Sequence, residues 1–253
     1  MEINKKNIVI TGAASGIGQA ILKNLSDIFD CRITAVDLKT DSIIESDTVF
    51  PFQCDLSKPE NIDELFDFAI SKMGSIDIFI ANAGFAYYEK IENPDWDHIQ
   101  NIFKINTFSP IYAAEKMQAT QGEKPFNIVA TASAMAFLPL AGYALYASSK
   151  SAMNAFATAY RHELKKNQKL QLVYPIATRT NFFKTAGDSP VPWPSQTADE
   201  VALKVIEGIL KDKEAIIPSR IYHALRILDR FIPLVMRMAA FIEAYKFKKW
   251  LKQ

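Results

Sequence analysis

Cysteine and histidine are scarce in this chain, net charge is almost absent, and no apolar run is long. Each shortage removes a class of protein. Two cysteines, Cys31 and Cys54, cannot build the disulfide framework of a small secreted domain. The strand pattern puts one at the start of a strand and the other just past the far end of its parallel neighbour, roughly 15 Å away and beyond disulfide reach. Reduced thiols and a cytoplasmic location are expected. The three histidines, His98, His162 and His223, are scattered without ligand spacing, so no metal site is expected. Lys plus Arg total 29 against 28 Asp plus Glu, which leaves no global basic footprint for nucleic acid. The longest strongly apolar stretch, 231–242, contains Arg237 and falls short of the roughly 20 residues a bilayer requires. Residues 1–7 are polar and lack signal-peptide architecture. At 49% hydrophobic and 23% charged, the 253 residues are neither disordered nor collagen-like, and one α/β domain is the default.

What is present is alternation. Residues 8–11, 32–36, 49–53, 76–81, 127–131, 170–174 and 215–217 are β-rich runs. Between them, helical periods cover residues 17–25, 62–73, about 95–118 and 143 to about 166. Thr197 and Glu200 make a capping box that opens a helix over 198–211. This is the pattern of a parallel sheet wrapped by helices. No repeat or long linker divides it, although 181–196, with three prolines and Trp193, reads as a functional loop.

After the first strand, Thr11-Gly12-Ala13-Ala14-Ser15-Gly16-Ile17-Gly18 opens directly into a helix. Glycine lets the backbone approach a pyrophosphate, and the helix start offers unpaired amides and partial positive charge. Asp37, at the end of the second strand, is placed to accept from ribose hydroxyls and to repel a 2′-phosphate. NAD is therefore expected over NADP, with Lys39 as the residue that could favour the latter.

Tyr followed four residues later by Lys puts both on one helix face, and the chain does this three times: Tyr112 with Lys116, Tyr146 with Lys150, Tyr245 with Lys249. A hydroxyl thirteen residues upstream accompanies one of them. Ser133 precedes Tyr146, whereas Ile99 precedes Tyr112 and Ile232 precedes Tyr245. Together with the turn 11–18, Asp55 in Cys-Asp-Leu-Ser, Asn82-Ala83-Gly84 and Asn106, this set resembles the short-chain dehydrogenase/reductase family over about residues 5–220. The resemblance implies a three-layer Rossmann-type doubly wound parallel sheet, a nicotinamide dinucleotide, and hydride transfer between an alcohol and a carbonyl.

Position by position, the resemblance assigns Gly12, Ser15, Gly16, Ile17 and Gly18 to the pyrophosphate and Asp37 to the ribose. Asp55 and Leu56 would contact adenine, Asn82, Ala83 and Gly84 would flank the ribose, and 175–180, with Pro175, Thr178 and Thr180, would contact the carboxamide. Tyr146 and Lys150 serve both cofactor and chemistry. Two departures stand out: Ala81 for the first of two asparagines, and Ile176 for the glycine usual after Pro175. Tyr146 is implied as general acid/base, Ser133 as hydrogen-bonding the reacting oxygen, and Asn106 as breaking its helix and holding a water that relays protons to Lys150. Bringing a phenol from about 10 towards 7 takes roughly 4 kcal/mol. An ammonium about 4 Å away at an effective dielectric near 20 supplies about that much.

Phe85, Tyr87, Phe137, Leu138, Tyr143, Phe182, Phe183 and Trp193 follow strand ends or lie in the late loop, so they are candidates to line a bulky apolar substrate site. Residues 220–253 form a basic amphipathic helical extension of the 1–219 domain. Arg220, Arg226, Arg230, Arg237, Lys246, Lys248, Lys249 and Lys252 face Asp229 and Glu243, interleaved with Leu225, Leu228, Phe231, Ile232, Val235, Met236 and Phe241. Either peripheral membrane contact or a helical cover over the substrate site or a subunit interface fits. The family implies a homodimer or homotetramer, through the helix carrying Lys150 and the one beginning at Thr197. A non-catalytic dinucleotide-binding regulator and an epimerase or dehydratase are the rival readings.

Overall fold

Strand β1 (Asn7–Thr11) sits at the centre of a seven-stranded, wholly parallel sheet because Ile8, Val9 and Ile10 are apolar in succession and all buried. The structure, a computed structural model, describes residues 2–229, 231–232 and 234–252, with the side chains of Leu234, Val235, Met236 and Ala239 outside the description. Arg230 and the side chains of Val235 and Met236, counted above in the basic tail, lie outside the described residues.

From β1 the chain runs through α1 (Gly16–Ile28), β2 (Arg32–Asp37) and β3 (Val49–Gln53), each strand added on one side. After α2 (Pro59–Met73) it returns to the other side with β4 (Ile78–Ala81), then β5 (Phe126–Thr131), β6 (Gln168–Val173) and β9 (Ala215–Ile216), giving the order β3-β2-β1-β4-β5-β6-β9. Ile10 pairs with Ala35 on one side and Ile80 on the other. The order reverses between β1 and β4, and a crevice opens at the carboxyl ends of strands at such a switch point.

Helices cover both faces. Successive side chains of β1 point oppositely: Val9 joins a core with Phe66, Phe79, Met117 and Ala157, while Ile8 and Ile10 join one with Ile21, Leu25, Val201 and Val205. The first core is closed by α2, α4 (Ser109–Gln121) and α5 (Ala144–Tyr160), the second by α1 and α7 (Ala198–Leu210). Residues 38–48 cross from β2 to β3 without a helix, and Ile43 folds back into the second core. Cys31 and Cys54 are free and buried.

Three elements differ from the sequence expectation. The single helix over 95–118 is α3 (Trp96–Phe103), a π-helical turn (Lys104–Phe108) and α4, which runs on to Gln121. The helix expected to reach Lys166 stops at Tyr160. Its next residue, Arg161, turns inward and donates to the carbonyls of Leu170 (2.8 Å) and Glu214 (2.9 Å), fastening the helix end to the sheet. The late loop is closed at its base by β7 (Ala177–Arg179) pairing β8 (Ser195–Thr197), with the short α6 (Phe182–Thr185) between. The capping box forms as expected: Glu200 N donates to Thr197 Oγ1 (3.2 Å) and Thr197 N to Glu200 Oε2 (2.6 Å).

The extension supplies α8 (Arg220–Asp229) and α9 (Leu234–Trp250). Tyr222 anchors α8, buried and donating to the Ala134 carbonyl at 3.1 Å. The far end of α9 packs Phe247 and Trp250 on Tyr88, with ring centroids 5.2 and 4.8 Å away.

Candidate active site

The switch-point crevice is walled at one end by the glycine turn and at the other by Ser133, Tyr146 and Lys150. Its cavity volume is about 230 Å³, somewhat below the ~300–1,000 Å³ typical of small-molecule sites. Gly12 and Gly16 have φ of 69° and 55°, the left-handed region that favours glycine. A Cβ on Gly18 would stand 2.0 Å from the Gly12 carbonyl oxygen, so only glycine lets α1 approach the turn this closely. Ser15 caps α1 by position but makes no side-chain capping bond, and the first turn holds no acidic residue. Its amides and the positive end of the helix suit a phosphate. The residues present therefore fit a dinucleotide.

Three strand ends are fixed beside this turn. Thr11 Oγ1 accepts from the amides of Asn82 (3.0 Å) and Ala83 (3.1 Å). Asn82 Nδ2 donates to the Thr11 carbonyl (3.2 Å), and its Oδ1 accepts from Thr131 Oγ1 (3.2 Å). Asp37 ends β2 as expected, with Oδ2 accepting from Ala14 N (2.9 Å) and Oδ1 from Leu38 N (2.8 Å). Its charge is thereby held against the turn. Asp55 accepts from Ser57 N at 3.0 Å, and Leu56 is buried in the first core. Asp37, Asp55 and Leu56 lie outside the crevice walls, whereas Asn82, Ala83, Gly84, Pro175, Thr178 and Thr180 belong to them.

At the other end, α5 projects Tyr146 and Lys150 from one face, both buried. Lys150 Nζ donates to the Thr131 carbonyl (2.7 Å) and lies 5.8 Å from the Tyr146 ring centroid. Ser133 follows β5 and accepts from Met135 N (3.1 Å), which fixes its hydroxyl at the head of a short 3₁₀ turn. Asn106 lies in the π-helical turn, fully buried. It accepts from Phe85 N (3.1 Å) and donates to the Phe85 carbonyl (2.8 Å) and Ser149 Oγ (3.1 Å). One carboxamide thus clamps the chain after β4 to α5. A Cβ on Gly84 would meet Asn106 Oδ1 at 2.9 Å and Lys150 Nζ at 3.3 Å, so that glycine is what lets the groups crowd together.

Burial sets the charges here. It pushes Tyr146 up to about 12, opposed only in part by the side-chain hydrogen bond of Ser133. It pushes Lys150 down to about 7. Burial therefore opposes the expected lowering of the Tyr146 phenol by Lys150. Desolvation penalises both charged forms.

The substrate-end residues divide. Phe182 and Phe183 line the crevice, Phe182 lying 5.5 Å from the Tyr146 ring. Phe85 joins the apolar cluster around Tyr146, and Tyr87 stacks on His98 at 3.5 Å. Tyr143 is buried behind the wall, 6.2 Å from Tyr146, its hydroxyl sharing a 2.7 Å hydrogen bond with Ser189. Phe137 is not brought to the crevice: it packs on Tyr174 (5.2 Å) under the Arg226 guanidinium (3.7 Å). Leu138 packs with Ala134 and Tyr222. Trp193, 82% exposed, stands in solvent. Thr131, Met135, Asn181 and Thr185 line the crevice without having been singled out from sequence. Thr131 and Met135 flank Ser133 along the chain, which is the one signal that could have found them. Among the described residues no cluster of metal-ligating side chains occurs.

Comparison with known proteins follows the same lines. Residues 6–190 match the family model described as short chain dehydrogenase. The chain is 32% identical over 191 residues to the uncharacterized oxidoreductase TDA5 of Saccharomyces cerevisiae, covering 72% of this chain and 58% of that one. It is 30% identical over 178 residues to 1-deoxy-11-beta-hydroxypentalenate dehydrogenase of Streptomyces avermitilis, covering 65% of each. It therefore spans less than two thirds of the length of either relative. Among solved structures, a short-chain dehydrogenase/reductase from Burkholderia phymatum in complex with NAD superposes with a TM-score of 0.79 at 20% identity, covering 92% of this chain and 96% of that one. One from Burkholderia cenocepacia in complex with NADP does so with 0.79 at 19%, covering 91% and 94%. At such identities these two show a shared fold. With most of its length matched by one family model and its sheet by such structures, the chain belongs to the short-chain dehydrogenase/reductase family of oxidoreductases.

Proposed function

We propose that this protein is an NAD-dependent alcohol dehydrogenase or carbonyl reductase in which Tyr146 is the general acid/base. The observation that carries the reading is the single crevice joining a phosphate-ready glycine turn to the buried Ser133, Tyr146 and Lys150. A nicotinamide dinucleotide, when bound, supplies the acceptor or donor of hydride. The turn residues Gly12, Ser15, Gly16, Ile17 and Gly18 hold its phosphates. Asp37, fixed at the end of β2, favours a free ribose over a 2′-phosphate.

Ser133 and Tyr146 converge on one substrate oxygen. Ser133 hydrogen-bonds it and fixes its position. Tyr146, protonated at neutral pH, delivers its proton to a carbonyl oxygen in reduction, and in oxidation its phenolate form takes the proton of the alcohol. Lys150, whose ammonium burial brings down to about 7, steadies in its charged form the phenolate that proton delivery creates. Asn106 acts as a positioning residue, through Phe85 and Ser149.

Phe182, Phe183 and Met135 beside Tyr146 favour a bulky apolar alcohol or ketone. Residues 1–219 form the binding and catalytic domain and 220–253 its extension, in a cytoplasmic homodimer or homotetramer. Following reduced-nicotinamide absorbance across a panel of alcohols and carbonyls tests the reading. Turnover of bulky apolar substrates with NAD is expected. A preference for NADP would overturn the cofactor assignment, and turnover of small charged substrates alone would overturn the pocket assignment.

A further inference from the structure

We propose that the outward face of α9 is a docking surface for an anionic lipid bilayer. At about 100° per residue, Met238, Phe241, Ile242 and Tyr245 fall on one stripe of the helix. They are 58%, 76%, 52% and 69% exposed. Arg237 and Lys248 border the stripe on one side and Lys249 lies within it, all exposed. The opposite side carries Phe247 and Trp250, which pack on Tyr88. Glu243, the one acidic residue of 234–252, lies on that inner side and pairs with Lys246. The outer face thus offers apolar side chains and cations without an acid. Phe231 and Ile232, 78% and 51% exposed, extend the apolar surface just before the helix.

Charge selects the occupant. A second copy docked across a two-fold axis would set the cations Arg237, Lys248 and Lys249 of one copy against those of the other. Anionic headgroups neutralise them while the apolar stripe enters the headgroup–acyl boundary. No helix among the described residues is long and apolar enough to cross a membrane, so the contact is a surface one. It also has a direction. Through Phe247 and Trp250 the helix joins the apolar cluster of Tyr88, Tyr143, Tyr146 and Phe182. A substrate dissolved in the bilayer would have a short apolar route to the crevice. That last consequence rests on the proposed oxidoreductase activity, whereas docking itself does not.

Co-sedimentation of the full chain with vesicles of phosphatidylcholine, alone or mixed with phosphatidylserine, tests the proposal. The protein should partition onto the mixed vesicles, leave them at high salt, and ignore phosphatidylcholine alone. Lys248→Gln/Lys249→Gln should lower partitioning about 30-fold, roughly fivefold per cation, with an unchanged thermal melt and unchanged cofactor binding. Phe241→Ser should also weaken it. Absence of binding to anionic vesicles, or equal binding by the double variant, overturns the proposal. So does a concentration-dependent dimer that Phe241→Ser dissolves, which would make a second copy the occupant. Vesicle binding with no hydride-transfer activity on any substrate refutes the enzymatic reading and leaves docking in place.

Discussion

Tyr112 with Lys116 and Tyr146 with Lys150 share one spacing and have opposite surroundings. On α4, Tyr112 donates to Asp63 at 3.0 Å and Lys116 pairs with the same carboxylate at 2.8 Å. That hydrogen bond pushes the Lys116 ammonium up, so it stays charged. On α5, burial alone moves Lys150 the other way, to about 7. The third pair, Tyr245 with Lys249, lies exposed on α9. Spacing places two side chains together, but the dielectric around them and the nearest counter-charge decide whether a proton can move at neutral pH.

The sharpest way to break the comparison is to remove one hydroxyl from each pair. Tyr146→Phe should lower turnover by about 10³-fold, within the ~10²–10⁴ range of general acid/base catalysis, while leaving cofactor affinity within a few-fold by fluorescence titration. Near-normal turnover would place the chemistry elsewhere. Lys150→Met should cost about 10²-fold in turnover and abolish a pH effect on stability. The Lys150 pKa falls from an ordinary 10.5 to about 7 in the folded chain, so between those values the unfolded state binds more protons. Its contribution to stability is lost as pH falls through 7 and grows from about 7 to 10, by about 1 kcal/mol per pH unit. Denaturant melts across that window should show the slope in the wild type and lose it in Lys150→Met. Tyr146, raised to about 12, opposes the trend only above its ordinary value of 10.

Asn106→Ala sharpens the distinction between chemistry and positioning. It strips Phe85 of its side-chain partner and should cost about 2 kcal/mol by denaturant melt. Turnover should fall about tenfold, well short of the Tyr146→Phe loss. Unchanged stability would mean the clamp is not made. Smallest of all, Tyr112→Phe should leave turnover within about twofold and stability within about 1 kcal/mol. A large loss of turnover there would erase the contrast between the two pairs.

The fold was legible because burial on both faces of a parallel strand forces apolar runs such as Ile8-Val9-Ile10, and because caps such as Thr197 with Glu200 are local chemistry. The end of α5 was not legible. Residues 161–166, polar apart from Leu164, continue a helical pattern, whereas the carbonyls that hold the Arg161 side chain, those of Leu170 and Glu214, are distant in sequence. The π-helical turn was half visible, as an asparagine in mid-helix, but what Asn106 holds is the backbone of Phe85, a contact across 21 residues. Phe137 is a candidate because it follows a strand end, and Trp193 because it lies in the late loop. Whether an aromatic faces a cleft, a cation or water is settled by neighbours remote in sequence.

Sequence alone determined the parallel sheet, the glycine turn and the order in which Ser133, Tyr146 and Lys150 occur, because each depends on periodicity or on short intervals along the chain. Tertiary structure decided the charge state of the pair and which Tyr–Lys couple is buried. It also decided where the basic helix turns its apolar stripe. These depend on how much water the rest of the chain excludes, and no local pattern encodes that.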